Sequence, residues 1–217
     1  MIITSFINSN LGDDVIMKIK QQKMIKAFLI EEFGSVKGTD LFSKQVIILD
    51  ELIKNSKNKS KEQMKTLIQT ILPRIALYKT LLKENISEEE SYNYIRKYML
   101  NKIASKKHAS MQKMEVVPGF YSIYSNIFLK IMKKTDLQEN EQKCGKDYFN
   151  VTIKKCLWHT ACVENGCAKL CHLFCDVDDI TYGGLKKALP EQKPWDMVET
   201  VVIFIFIRNN FSYIVCY

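Results

Sequence analysis

Nothing in this chain approaches the ~20 consecutive apolar residues that a membrane-spanning helix needs. Its apolar run at 201–207 is far shorter. The opening Met1-Ile2-Ile3-Thr4-Ser5-Phe6-Ile7 is apolar but has neither the basic start nor the long hydrophobic core of a secretory leader. These absences point to the cytoplasm, a reducing compartment in which thiols stay free, and exclude a membrane partner. There is no C-x-x-C pair and no zinc-finger or ferredoxin spacing, so neither a structural zinc nor an iron–sulfur cluster is expected. A Gly-rich phosphate loop, a G-x-S-x-G elbow and an internal repeat are also missing. The formal charge of +8 comes from 32 basic and 24 acidic residues. The lysines are interleaved with glutamates along amphipathic stretches and do not form a tract, which argues for solvated helix faces and against a nucleic-acid partner.

What is present is concentrated in one place. Five of the seven cysteines and two of the three histidines lie between Cys156 and Cys175, and the acidic run Asp176-Val177-Asp178-Asp179 follows directly. Thiols, imidazoles and carboxylates supply nucleophiles, soft ligands and proton carriers, so this block marks a site. Asn165-Gly166 is a helix stop, dividing a short helix over 157–164 from another that starts at Cys167. On a continuous helix Cys167, Cys171 and Cys175 share a face. The outer two would be roughly 12 Å apart, too far to share a small ion. No metal and no cofactor are expected.

The rest of the chain bounds the architecture. Its 217 residues suffice for one sizeable core, and a single domain over 1–217 is expected, helical over 1–135 and mixed over 148–217. Helical spacing covers 13–33, ending at Gly34, and 41–53, with Thr39-Asp40 as its cap. A polar loop follows at 54–61. A helix over 61–82 should be kinked or divided by Pro73, and Ser87-Glu88-Glu89-Glu90 is a capping box. The helix it starts should fray at Lys106-Lys107-His108, leaving His108 exposed. A buried helix is expected over 120–132 and a polar linker over 133–147. Residues 147–155 alternate as a half-buried strand that delivers Cys156. After the acidic run, 180–185 should be helical, with Asp178 or Asp179 as a possible N-cap. A turn at 190–194, a strand over 195–207, a tight turn at Asn209-Asn210 and a returning strand over 211–217 complete the reading. The fold class is therefore α+β, a helical N-terminal half followed by a small antiparallel sheet with short Cys-rich helices.

The segment F-N-V-T-I-K-K-C-L-W at 149–158, the Gly166-Cys167 turn and L-F-C-D-V-D-D-I-T-Y-G-G-L at 173–185 together resemble the L-2-amino-thiazoline-4-carboxylic acid hydrolase family. The resemblance covers 149–200. From Val201 onward the chain departs from that pattern, lacking the Gly turn and the Cys-Asp-Phe ending, so Cys216 is not equated with the family's terminal cysteine. The resemblance implies a hydrolase that opens a cyclic amidine carbon–nitrogen bond of a small-molecule substrate.

Such chemistry needs a nucleophile, a proton donor and a cation for the substrate carboxylate. Cys156 and His159 are candidates for a thiolate–imidazole pair, since a helix N-terminus favours a thiolate. Cys175, Asp176, Asp178 and Asp179 are candidates to orient or protonate. Lys154 or Lys155 would hold the carboxylate, with Trp158 and Tyr182 as further substrate contacts. A different class also fits: a non-catalytic small-ligand, metal or redox sensor module that uses the Cys-rich pocket. Oligomeric state is not legible.

Overall fold

The computed structural model describes residues 19–118, 136–144, 148–183, 185, 202–207 and 210–213. The expected helix over 120–132, the turn at 190–194, the start of the first helix at 13–18, the strand portions at 195–201 and 214–217, and Asn209 lie outside the described residues. The chain forms two compact units, Met1–Tyr98 and Met99–Tyr217.

In the first unit, α1 (Lys20–Phe33) buries Ile25, Phe28 and Leu29 at helical spacing and stops at Gly34, whose φ of 79° suits glycine. The second helix, α2 (Ser35–Asn55), starts at once and not at residue 41. Thr39 and Asp40 do not cap it. The Thr39 hydroxyl donates back to the Ser35 carbonyl at 2.7 Å and Asp40 pairs with Lys44 at 2.8 Å, so both groups are satisfied from inside the helix. Gly38 is required by contact, because a Cβ there would stand 2.5 Å from the Leu29 carbonyl oxygen of α1.

Ser60 opens α3 (Lys61–Thr66) with a capping box to Gln63. The helix then widens into a π segment, Leu67–Ile71, before α4 (Leu72–Lys83). Pro73, at the second position of α4, has no N–H for the Gln69 carbonyl four residues back. The Gln21 amide fills that gap, donating to Gln69 O at 2.7 Å and Thr70 O at 3.2 Å. Arg74 Nε in turn donates to Gln21 Oε1 at 3.0 Å, and Gln45 donates to Pro73 O at 3.1 Å. The expected division at Pro73 is thus a π segment held by buried amides. The predicted capping box is present at Ser87, where α5 (Glu88–Lys97) begins.

The second unit takes over within a π segment, Tyr98–Ala104, which leads into α6 (Ser105–Glu115). This helix does not fray at Lys106-Lys107-His108. Its buried Met111 and Glu115 show why, since one face is packed through to the end. The sheet has strand order β1-β2-β3-β4, all antiparallel: β1 (Gln138–Cys144), β2 (Tyr148–Cys156), β3 (Val202–Ile207) and β4 (Asn210–Tyr213). The stretch expected as a linker therefore contains an edge strand. Its sequence Q-E-N-E-Q-K-C has no apolar alternation, and it forms because β2 offers a paired backbone.

Beyond β2 come α7 (Leu157–Glu164), a 3₁₀ turn (Ala168–Leu170) and α8 (Cys171–Tyr182). The acidic run lies in the middle of α8, so neither Asp178 nor Asp179 caps a helix, and the helix expected over 180–185 is the end of α8, helical through Tyr182. Leu170, Leu173, Phe174, Val177 and Thr181 are all buried, and this stripe carries the helix straight through the aspartates. Helices before and around an antiparallel sheet make the chain α+β. No helix among the described residues is long and apolar enough to cross a membrane.

Candidate functional site

The site is built from the end of β2. Between β1 and β2 the register runs Glu139↔Lys155 and then Asn140↔Ile153, so Lys154 is the extra residue of a β-bulge. The bulge explains why two consecutive lysines are both exposed while Ile153 and Leu157 on either side are buried. Lys154 pairs with Glu141, and Lys155 with Glu139 at 3.4 Å. Cys156 is the N-cap of α7 and half-buried, as expected for a strand–helix junction. Trp158 and His159 follow in the first turn of α7, each half-buried.

At the far end of α7 the chain closes a Schellman motif. Cys167 N–H donates to the Cys162 carbonyl at 2.9 Å and Gly166 N–H to the Val163 carbonyl at 3.0 Å, with Gly166 at φ 68°. This motif brings its third-last helical residue against the residue after the glycine, and here both are cysteines. The Cys167 thiol donates to the Cys162 carbonyl at 3.4 Å. Hydrogen bonding with Cys167 pushes the Cys162 thiol pKa far up; burial and the nearby Cys167, Cys171 and Cys156 add to it. Cys175 is pushed up in the same way, first by its hydrogen bond with Cys171, then by burial, then by Cys171, Cys156 and Asp178.

The five cysteines therefore form one neighbourhood, where the sequence suggested three strung along a helix. The Gly166 turn swings Cys167 off the helix axis and back onto Cys162. All five are free thiols, and Cys162 and Cys175 hold their protons at neutral pH. Among the described residues no group of three or more His, Cys, Asp or Glu is arranged to hold a metal ion.

The acidic run extends this neighbourhood along α8. Cys171, Cys175, Asp178 and Tyr182 follow one another at four, three and four residues, a single helix face. Burial lifts the Asp179 carboxyl from 3.8 to about 6, with Asp176 and Asp178 adding repulsion. An acid of that strength is part protonated near neutrality.

Two residues of α6 join here that the sequence did not place. Lys107 Nζ lies 3.8 Å from Asp178 Oδ1, and His108 Nδ1 is 3.2 Å from the Thr181 carbonyl oxygen. His108 is thus half-buried, not exposed. The signal was available: Ala104, His108, Met111 and Glu115 recur at helical spacing, but the adjoining lysines made the segment read as solvated surface. The fold thus draws Cys156, Cys175 and the aspartates of α8 together. Lys154 and Lys155 sit beyond Cys156 on the bulge, engaged with β1.

Against known proteins, a family model described as L-2-amino-thiazoline-4-carboxylic acid hydrolase matches residues 61–193, from α3 to beyond the end of α8. The match reaches well upstream of 149–200, taking in the helices that carry Pro73 and His108. No curated protein and no solved structure matches. With more than half its length covered, including the whole thiol and aspartate neighbourhood, the chain belongs to the L-2-amino-thiazoline-4-carboxylic acid hydrolase family.

Proposed function

We propose that this protein is a cytoplasmic hydrolase that opens the cyclic amidine of an L-2-amino-thiazoline-4-carboxylate-like substrate, with residues 1–217 acting as one functional domain. The observation that carries the reading is the convergence of Cys156, at a strand–helix junction, with Cys175 and the aspartates of α8, one of which titrates near neutrality. In this reading Cys156 attacks the amidine carbon while His159 takes its proton, the ring carbon–nitrogen bond breaks, and water, giving a proton to His159 or the leaving thiolate, then displaces Cys156 from that carbon. Asp179, part protonated at working pH, gives a proton to the departing nitrogen. Burial, reinforced by repulsion from Asp176 and Asp178, keeps that proton in place, and Cys175 remains a thiol that donates without attacking. Lys154 or Lys155 exchanges its strand partner for the substrate carboxylate, and Trp158 and Tyr182 flank the ring. Nucleic acid has no part in this reading.

A second reading, a ligand or redox sensor, has one observation in its favour. Two of the five thiols are held protonated, which suits a packed pocket better than a nucleophile.

The test follows ring opening of 2-amino-thiazoline-4-carboxylate by wild type, Cys156→Ser and Cys171→Ser after their folding has been matched. Loss of turnover by orders of magnitude in Cys156→Ser alone is the expected result. Full activity in that variant would pass the attack to water activated by Asp179. An inactive wild type would favour the sensor.

A further inference from the structure

We propose that His108 is a proton-carrying residue of this same site, working through Nε2 while Nδ1 is tied to α8. The inference rests on the hydrolase reading above. Its starting point is the 3.2 Å approach of His108 Nδ1 to the Thr181 carbonyl oxygen, across 73 residues of sequence. A carbonyl only accepts, so Nδ1 carries the hydrogen, and the neutral ring has its lone pair on Nε2. No described residue bonds to Nε2. Gain or loss of a proton there leaves the Nδ1–H bond to Thr181 intact, so the ring can carry one proton in and return it within a turnover without letting go of α8.

Thr181 is the second-last residue of α8, and its carbonyl is one of the four at a helix end with no partner inside the helix. Satisfying that oxygen needs only a donor, which Gln, Lys or Arg would supply equally well. Histidine adds a second, basic nitrogen next to the acidic face of α8.

One turn back from Thr181 on α8 is Asp178, already joined to Lys107 at 3.8 Å, and Tyr182 follows directly. On α6 itself the positions three and four residues from His108 are Ala104, Ser105, Met111 and Gln112, all uncharged. His108 is therefore tied to the end of α8 that carries Asp178 and Tyr182, and its neighbour Lys107 is paired with Asp178.

The decisive variant is His108→Gln, which keeps a donor for the Thr181 carbonyl and removes the basic nitrogen. Unfolding temperature should be nearly unchanged, while turnover of 2-amino-thiazoline-4-carboxylate falls ~10²–10⁴-fold and one limb of its pH profile is lost. A purely structural tie predicts normal turnover and an unchanged profile in His108→Gln, and that result would overturn the proposal while leaving the hydrolase reading intact. A second measurement does not depend on turnover: ¹⁵N imidazole spectra of the full chain, titrated with the same thiazoline. The expected result is the Nδ1–H tautomer, with an Nε2 signal that moves on addition. An Nε2–H tautomer or an unmoved signal would reject the proposal. If wild type binds the thiazoline and shifts Nε2 but turns nothing over, hydrolysis fails and His108 stands as a ligand-site residue.

Discussion

Replacing Asp179 with Asn tests the α8 carboxyl that burial lifts above the usual carboxylate range. Burial, reinforced by Asp176 and Asp178, lifts it from 3.8 to about 6. That gap corresponds to about 3 kcal/mol between the charged and neutral forms, and because the group is only half-buried, solvent screening reduces the expected effect to about 1 kcal/mol. The folded value lies above the unfolded one, so the native state gains from the protonated form. The gain is complete below 3.8 and is lost as pH rises through about 6. Asn carries no charge to desolvate. Relative to wild type, Asp179→Asn should therefore gain about 1 kcal/mol of stability on going from about pH 4 to about pH 7.5, with most of the change between the two pKa values. Urea unfolding of both proteins across that range measures it. A difference that stays flat with pH, or that grows in favour of wild type as pH rises, would refute the argument. The same variant should lose ring-opening activity, since a group kept protonated at a cost in stability is kept for its proton.

Two further expectations concern the first unit. Gly38→Ala should lower the unfolding temperature, with a net cost of about 1–3 kcal/mol even after a helix-propensity gain of about 1 kcal/mol. The added Cβ would stand 2.5 Å from Leu29 O and 2.6 Å from Ile30 Cα, backbone atoms that cannot rotate aside, and a stabilised variant would show that α1 and α2 separate easily. Gln21→Ala strips the donor from Gln69 O and Thr70 O and the acceptor from Arg74 Nε, and should cost about 1–3 kcal/mol in urea unfolding. An unchanged midpoint would mean that Pro73 needs no outside support.

Elements with local signals were legible in the sequence. Ser87 through Glu90 form a capping box because two side chains and two backbone groups within four residues satisfy one another. Asn165-Gly166 ends α7 because glycine accepts a positive φ, and the apolar–polar alternation at 147–155 marks the strand that forms as β2. Two elements were hidden, one by a competing local signal and one because it needs a distant partner strand. Thr39-Asp40 looked like a cap, yet Gly34 already separates α1 from α2. Residues 138–144 looked like a linker because an edge strand of polar side chains carries no periodic signature.

By itself, then, the sequence determined the α+β class, the change from helix to strand before Cys156 and the concentration of thiols and carboxyls within one block. These follow from periodicity, capping and composition, which act over a few residues. Only tertiary structure decided that Cys167 turns back onto Cys162, that Cys156 comes within electrostatic reach of Cys175, that the Asp179 carboxyl is lifted to about 6 and that Lys107 and His108 reach α8. Each of those depends on burial or on a contact between distant segments, and it is the packing of α6 and α7 against α8 that sets how far a thiol or carboxyl is removed from water.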